Sequence, residues 1–583
     1  MAPGAPVVGG EPLDQGEQPF RLGDWLETGS ARGRVVEVNW RAVHIETGKG
    51  LQITPNSVLA GASFTNLSRP SGDHKITVES TFSTTDPPDG VCELLVRTAA
   101  ALPQCRPDAR PSAVALGGDG YRTSIPLRSP ADDGAARATF NRWLWYAARR
   151  AEFLARIPAT AAAVIAGAHE VRRNSDNHYR FRQPSDLYYL TGFTEPEALA
   201  VFAPNKPHPY TLLLRPRDPH RETWHGRRAG LVGGREHFGA DQTFDIAELE
   251  ARLTELLDGC SEVHMLVGDD PRLDALVTRA IAYLRHNERN GRRAPRRIVD
   301  LSETLHELRL YKDHDALTRM RRAAAITVEA HAAAMRACQA GRHEYEIEAL
   351  IDYIFRRSEG LPGYGSIVGA GANATILHYV DNRDRLVAGQ VLLVDAGCEW
   401  QGFTADITRC YPIAEPGRPA RFTTAQRRLY EAVLAAQLAG IAAARPGATI
   451  EQIHEVCTRH LTASLVEIGL LQGSVDELIA SGAQKRYYLH RTSHWLGMDV
   501  HDAGTYFPEG EPRQLLPGMV LTVEPGLYVS PDDDCPEEFR GIGIRIEDDV
   551  LVTESGNEVL TAALPKQPAE IEALTGTGLT IVL

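Results

Sequence analysis

Short apolar runs that stop at an acid recur through the second half of the chain. Val391-Leu392-Leu393-Val394 ends at Asp395, Val520-Leu521-Thr522-Val523 at Glu524, and Ile544-Arg545-Ile546 at Glu547, while Asp406 opens Asp406-Ile407-Thr408. Runs of this length and composition predict buried β-strands. Asp395 and Asp406 lie eleven residues apart with Gly397 and Gly402 between them, which predicts neighbouring strands joined by a turn around Glu399-Trp400-Gln401-Gly402. Glu524-Pro525-Gly526 supplies turn residues and Gly541-Ile542-Gly543-Ile544 starts the next run, so a hairpin-like return brings Glu524 and Glu547 together.

Elsewhere the pattern divides the chain into further regions. After residues 1–17, expected to be disordered, Phe20 to Ser68 alternates apolar and polar positions broken by Gly and Asn, which predicts a small β-barrel over 18–70. Residues 71–148 read strand, helix, strands, helix, with the helices at Val91–Val96 and from Ala135 onward. Apolar runs such as Leu199–Phe202, Tyr210–Leu214 and His264–Val267 interleave with helical stretches at Ile246–Leu257 and Arg272–Leu284, giving an α/β domain over 149–311. From Lys312 to residue 583, helical stretches alternate with the apolar runs described above. Asp313 or Asp315 is placed to cap the first helix, Thr423 or Thr424 the second, and Thr449 a third. The join near Ala148-Arg149-Arg150 carries no Gly- or Ser-rich linker.

The acids at strand ends are the candidate chemistry. An unpaired carboxylate in a buried strand is costly, so each needs a cation, a proton or several donors. Any one of them alone reads as a turn or surface residue. Asp395, Asp406, Glu524 and Glu547 together with His494 supply hard oxygens and one imidazole, the inventory of two divalent ions bridged by carboxylates.

Composition narrows the partners. The 583 residues suffice for several domains, and a formal net charge of -14 argues against a protein built to grip nucleic acid or anionic lipid. The eight cysteines are scattered without a Cys-x-x-Cys pair, which suits a reducing cytosol. No basic stretch followed by an apolar core opens the chain, and the longest apolar stretches fall short of the ~18 residues a spanning helix requires, so a soluble, cytoplasmic protein with no membrane part is expected.

Taken with the segments His490-Arg491-Thr492-Ser493-His494-Trp495-Leu496-Gly497, Val500-His501-Asp502 and Pro517 to Gly526, the acids resemble the metal site of the Xaa-Pro aminopeptidases (aminopeptidase P), which are pita-bread metallopeptidases. The likeness reaches upstream through Arg172–Asp176, Tyr188–Phe193 and Trp224–Arg228, covering about 149–565, in the bacterial branch of the family. Residues 18–148 resemble the β-domain and following α/β domain of small-conductance mechanosensitive channels without the pore helices. That makes them an oligomerising or regulatory appendage, or a fusion whose function has lapsed.

The family resemblance implies a site. Asp395 would hold one ion, His494 and Glu524 the other, and Asp406 and Glu547 both; oxygen-rich ligation favours Mn²⁺, with Co²⁺ or Zn²⁺ able to occupy the site in vitro. A hydroxide between the ions would attack the peptide, Glu524 would relay a proton to the leaving amine, and His378, His490 and His501 would line the pocket. Arg545 would orient the acids. The substrates implied are peptides with proline at position 2, cleaved by a homo-oligomer, dimer or tetramer, in which the Trp-x-Gly-Arg-Arg segment reaches a neighbouring subunit's site. One position departs from the pattern: Arg491 stands where the family has Gly, a bulky cation that narrows the site or alters its charge.

Weaker signals read as structure. Trp224 and Trp495 are expected to pack, and Arg227-Arg228 and the cluster Arg292, Arg293, Arg296 and Arg297 to be solvated charge. Two other functions share much of the residue pattern. A prolidase restricted to Xaa-Pro dipeptides has the same five ligands, whereas metal-free peptide- or histone-binding modules of this fold generally lose the ligands that are all kept here.

Overall fold

The computed structural model describes residues 7–8, 11–12, 19–39, 41–47, 50–68, 74–82, 87–102, 104–117 and 120–578. Most of the stretch expected to be disordered at 1–17 lies outside these residues, as does the expected boundary at 70/71; within it Val7–Val8 and Glu11–Pro12 pair antiparallel. The chain forms two compact units, one of Met1–Ala155, Ala166–Arg182 and Leu190–Leu256, the other of Arg156–Ile165, Gln183–Tyr189 and Leu257–Leu583.

In the first unit, the alternating N-terminal segment folds as a five-stranded antiparallel sheet with Gly50–Pro55 and Phe64–Asn66 at its edges. Leu26, Val35, Val43 and Ile45 point inward and form its core. Gly33 is required there by close approach, since a Cβ would lie 2.1 Å from the Glu46 carbonyl oxygen. A three-stranded sheet follows, in which Gly120–Pro126 lies between Lys75–Thr81 and Ser112–Gly117. Its apolar positions pack with the helices Pro88–Ala100 and Asp133–Arg156 through Leu95, Ile125, Phe140 and Leu144. Position 149 lies inside the second of these helices. Farther along, Leu199–Phe202 pairs antiparallel with Tyr210–Leu214, which runs parallel to Gln242–Asp245.

The second unit holds the pita-bread architecture. Val391–Ala396 is the middle strand between Ile367–Ala370 and Ile407–Pro412, all antiparallel, with Asp395 opposite Thr408. Gln401 and Gly402, both at positive φ, make the turn of the short hairpin Cys398–Trp400/Phe403–Thr404 that follows Val391–Ala396, and a Cβ on Gly402 would meet the Tyr188 ring at 2.6 Å. Val520–Val523 pairs with Asp548–Thr553, and Gly526–Val529 with Ile542–Arg545. Helices His314–Ala337, Glu344–Arg357, Thr424–Ala443 and Ile450–Ile468 accompany the sheets. Of the alternative caps, Asp313 accepts from the Ala316 amide and Thr423 from the Gln426 amide, while Thr449 caps the last helix; both threonines belong to capping boxes. Asp315 instead pairs with Arg319.

Trp495 is fully buried, as expected of a packing residue. Trp224 is not: on the helix Pro219–His225 it stands 75% exposed, so the expected packing fails there. Arg292, Arg296 and Arg297 are surface cations that pair with Asp258, Glu288 and Glu262.

A buried charge network ties the helix Ser302–Leu310 to the segment carrying His501. Arg309 donates to Asp186 at 2.7 Å, Asp499 at 2.7 Å and Asp502 at 2.6 Å, and Lys312 donates to Asp502 at 3.0 Å. Burial works against the charge on Asp186, but Arg309 and His306 outweigh it and hold the carboxyl down at about 2. The same balance, with Lys312 and Arg309 outweighing burial, lowers Asp502. Because these acids are harder to protonate folded than unfolded, their stabilisation is complete above about pH 4 and fades as the pH falls toward 2. Arg309→Met, which takes a buried cation from three acids at once, should destabilise the protein by about 3–5 kcal/mol. Urea unfolding at neutral pH and through the acid range measures both effects; the variant should lose less stability between pH 4 and 2 than the parent.

Candidate active site and metal centre

Strand register gathers the acids. Asp395 sits in the middle strand of one sheet, and Asp406 immediately precedes the strand paired with it. Glu524 and Glu547 lie where the chain passes between two ladders, one pairing Val523 with Asp548 and the other pairing Gly526 with Arg545. Ladder bonds give out at these crossings, leaving the side chains to face a common space. The segment His490–Leu496 runs along Val520–Val523, with the Thr522 amide donating to the His494 carbonyl and the Glu524 amide to the Thr492 carbonyl. This brings an imidazole across from Glu524.

The resulting geometry is tight. His494 Nε2 lies 3.4 Å from both Asp406 Oδ2 and Glu524 Oε1. Its Nδ1 faces the Trp495 carbonyl at 3.0 Å. A carbonyl oxygen only accepts, so Nδ1 carries the proton and Nε2 is turned to the acids. Asp406, His494 and Glu547 each offer a ligand atom within 4.8 Å of the others, a spacing one cation can span. Tyr364 donates its hydroxyl toward Asp395 at 2.7 Å and Asp406 at 2.5 Å.

Arg545 organises the floor. Its guanidinium pairs with Asp395 through Nη2, donates from Nε to Thr408 Oγ1 at 3.0 Å and from Nη1 to the Tyr528 hydroxyl at 3.0 Å. Thr408 in turn donates to Glu547 Oε2 at 2.6 Å, and Tyr528 meets His490 Nε2 at 2.8 Å. His490 Nδ1 is directed to the Arg491 carbonyl at 2.8 Å and lies 3.5 Å from Glu524. His494 and His501 meet edge to face with ring centres 4.5 Å apart. His378 joins these residues in lining a cavity of 860 Å³, together with apolar side chains such as Val380, Tyr506 and Phe507. All nine residues expected at the site thus surround one cavity.

Electrostatics show what the cluster lacks. Burial pushes Glu524 up to about 8, against the pull of His494 and Arg545. Burial and then Asp395 raise Asp406, while burial with Asp406 and Glu524 raises Glu547 well above the carboxylate range. Burial opposes the charge on His494, yet Asp406 and Glu524 lift it to about 9. His490, by contrast, is lowered to about 4 by burial and by Arg545. Four acids with one guanidinium and one imidazole are short of positive charge. The donor set of oxygens plus one aimed nitrogen fits divalent cations.

Several members of the site were not picked out from the sequence. Thr408 carried a signal, since it lies two residues beyond Asp406 and faces the same side of its strand. Tyr364, Tyr528 and Asp549, whose carboxylate accepts from the Asp406 amide at 3.2 Å, carried none beyond their residue type.

Known proteins share this fold. The model of metallopeptidase family M24 matches residues 318–554, and that of the aminopeptidase P N-terminal domain matches 146–265. The site therefore belongs to a metallopeptidase of the pita-bread class, a class that uses divalent metal ions. Xaa-Pro aminopeptidase of Escherichia coli is 42% identical over 429 residues, which are 73% of this chain and 96% of that protein. The enzyme of Haemophilus influenzae is 39% identical, over 73% of this chain and 96% of its own length. The structure of Pseudomonas aeruginosa aminopeptidase PepP superposes with a TM-score of 0.72 at 45% identity, covering 74% of this chain and 97% of that one. Zinc-substituted Escherichia coli aminopeptidase P in complex with product gives a TM-score of 0.71 at 42% identity, with 74% and 97% coverage. This chain belongs to the Xaa-Pro aminopeptidase family. Residues 15–69 also match the β-domain of mechanosensitive ion channels, in agreement with the reading of that segment.

The hydroxyl of Thr408, fully buried, links Arg545 to Glu547. Thr408→Val keeps the shape but leaves both partners short of a bond, so metal-free protein should lose about 1–3 kcal/mol of stability in urea unfolding under chelation. Thr408→Ser should recover most of it.

Proposed function

We propose that the chain is a metal-dependent exopeptidase that releases the first residue from peptides with proline at position 2. The observation that carries this reading is the convergence of Asp406, His494 and Glu547 within 4.8 Å on the floor of an 860 Å³ cavity, in a member of this family. Asp395 would hold one ion, His494 and Glu524 the second, and Asp406 and Glu547 both, with Mn²⁺ favoured by the oxygen-rich donors. When bound, the ions supply a water acidic enough to act as nucleophile near neutral pH and a Lewis acid for the peptide carbonyl.

The chain's own residues do the rest. Glu524, beside His490 and His494, is placed to take a proton and deliver it to the leaving amine. His490, kept neutral by burial and by Arg545 and fixed by the Arg491 carbonyl and the Tyr528 hydroxyl, lines the pocket without adding charge. His378 and His501 line the wall where charge develops on the substrate carbonyl. Arg545 orients Asp395 directly and Glu547 through Thr408. The substrate's free N-terminus is attracted by the same acids. An Xaa-Pro bond lacks an N–H at proline, so a site with no donor requirement there accepts it where most peptidases do not.

The remaining parts of the reading concern the whole molecule. Exposed Trp224 supports a homo-oligomer, dimer or tetramer, in which the Trp224–Arg228 segment meets a neighbouring subunit. Eight free cysteines fit a cytoplasmic location. Among the described residues no helix is long and apolar enough to cross a membrane. Residues 18–148 are read as an appendage to the 149–311 and 312–583 regions.

Metal-stripped protein given Mn²⁺ should release the first residue from Xaa-Pro-Xaa tripeptides, lose cleavage on N-acetylation, and cleave weakly or not at all when alanine replaces proline. Hydrolysis confined to dipeptides would mark a prolidase, and pure protein that holds no metal would mark a binding scaffold. Asp406→Ala and Glu547→Ala should each abolish turnover and lower the metal content measured after gel filtration. Near-normal turnover with two ions bound would defeat the assignment of bridging roles.

A further inference from the structure

Two charged residues in the cavity wall stand apart from the acid cluster. Arg491 follows His490, and its Nη2 pairs with Glu451 Oε1 at 2.5 Å. Both residues line the cavity, with the Arg491 side chain 57% exposed and that of Glu451 22%. The other guanidinium in the lining, Arg545, is buried and committed to Asp395, Thr408 and Tyr528. Arg491 is therefore the solvent-facing cation of this wall.

The position of Glu451 makes its hold on Arg491 exchangeable. It is the second residue of the helix Ile450–Ile468, whose start is already closed by the Thr449 and Gln452 capping box. An acid in the first turn is stabilised by the helix dipole, so Glu451 keeps a favourable interaction when its partner turns away. An ion pair this exposed contributes little to stability. A guanidinium presents five N–H donors in a fork, and Glu451 engages one Nη. The rest of the fork is available to a second anion in the cavity.

We propose that Arg491 is a specificity-determining residue that binds a carboxylate of the substrate on the leaving-group side of the scissile bond. The inference rests on the peptidase reading above. The side is set by chain position: Arg491 adjoins His490, whose Nδ1 lies 3.5 Å from Glu524, the residue assigned to protonate the leaving amine. A peptide whose N-terminus lies at the acids carries its later residues past this wall. The carboxylate is either the C-terminus of a short peptide or an Asp or Glu side chain of a longer one.

The test uses the full-length, metal-loaded protein and its Arg491→Ala and Arg491→Lys variants. Substrates are Xaa-Pro-Ala, its C-terminal amide, Xaa-Pro-Glu amide and Xaa-Pro-Gln amide. The wild type should favour a carboxylate over its neutral counterpart by about tenfold in kcat/KM, mainly through KM, as one charge-assisted contact at an exposed rim provides. Arg491→Ala should bring that ratio to about one and Arg491→Lys should keep part of it. Preference for the free acid over its amide assigns the terminal carboxylate; preference for Glu over Gln assigns the side chain; either supports the contact. Calorimetric binding of Pro-Ala and Pro-Ala amide should show the same loss of discrimination in Arg491→Ala. Equal handling of acid and neutral ligands by the wild type, or a preference that survives Arg491→Ala, overturns the proposal. Failure of the wild type to cleave any of these peptides would overturn the peptidase reading, while the calorimetric comparison would still decide the contact.

Discussion

Buried negative charge is the constraint around which the catalytic half is built. Asp395, Asp406, Glu524 and Glu547 share one floor, and burial together with mutual repulsion drives Asp406 and Glu547 toward protonation. Such a group is tolerable only where fixed cations or donors compensate. Arg545, Thr408, Tyr364 and His494 provide part of that compensation, each held by a bond that leaves it little freedom. The remainder is charge of the kind divalent cations would supply. The unfavourable clustering of acids is thus inseparable from the metal chemistry of the family.

The scaffold keeps this arrangement from relaxing. Acids on flexible loops would swing apart, but here each sits in a strand or at a crossing between two ladders whose registers are fixed by pairing. A second network of buried charge, Arg309 and Lys312 with Asp186, Asp499 and Asp502, anchors the loop that presents His501. The two networks differ in kind. In the second, Arg309, Lys312 and His306 outweigh burial and hold Asp186 and Asp502 low; in the first, burial prevails and raises Asp406, Glu524 and Glu547.

Around the floor the wall chemistry is more open to variation. Val380 and Phe507, exposed on the wall, line the same cavity as Arg491 and Glu451, whereas Asp406 and Glu547 on its floor are buried, so residues of one cavity meet water to very different degrees. Floor positions are constrained by charge and by hydrogen bonds on several sides, whereas Arg491 answers to one partner. Substrate preference within a family of common chemistry is most easily altered at such a position.

Much of this was legible in the residues alone. Apolar runs ending on acids located the strands, because burial and alternation are local properties that a few residues express. Capping chemistry located helix starts to within a residue or two, though only the folded chain chose Asp313 over Asp315, since both have the right side chain and one has the right backbone angle. Arg491 was visible as an intrusion into a familiar pattern, but not its pairing with Glu451, forty residues away. Tyr364, Tyr528 and Asp549 were silent because a tyrosine or acid has no local mark of the partner it meets after folding. Trp224 looked like a packing residue, since an aromatic side chain gives no sign of which surface covers it, and it is exposed. Sequence determined which segments would be strands and which residues were candidates for the chemistry. Tertiary structure decided which of them touch, because ladder register and the crossing of two sheets set distances that no local pattern encodes.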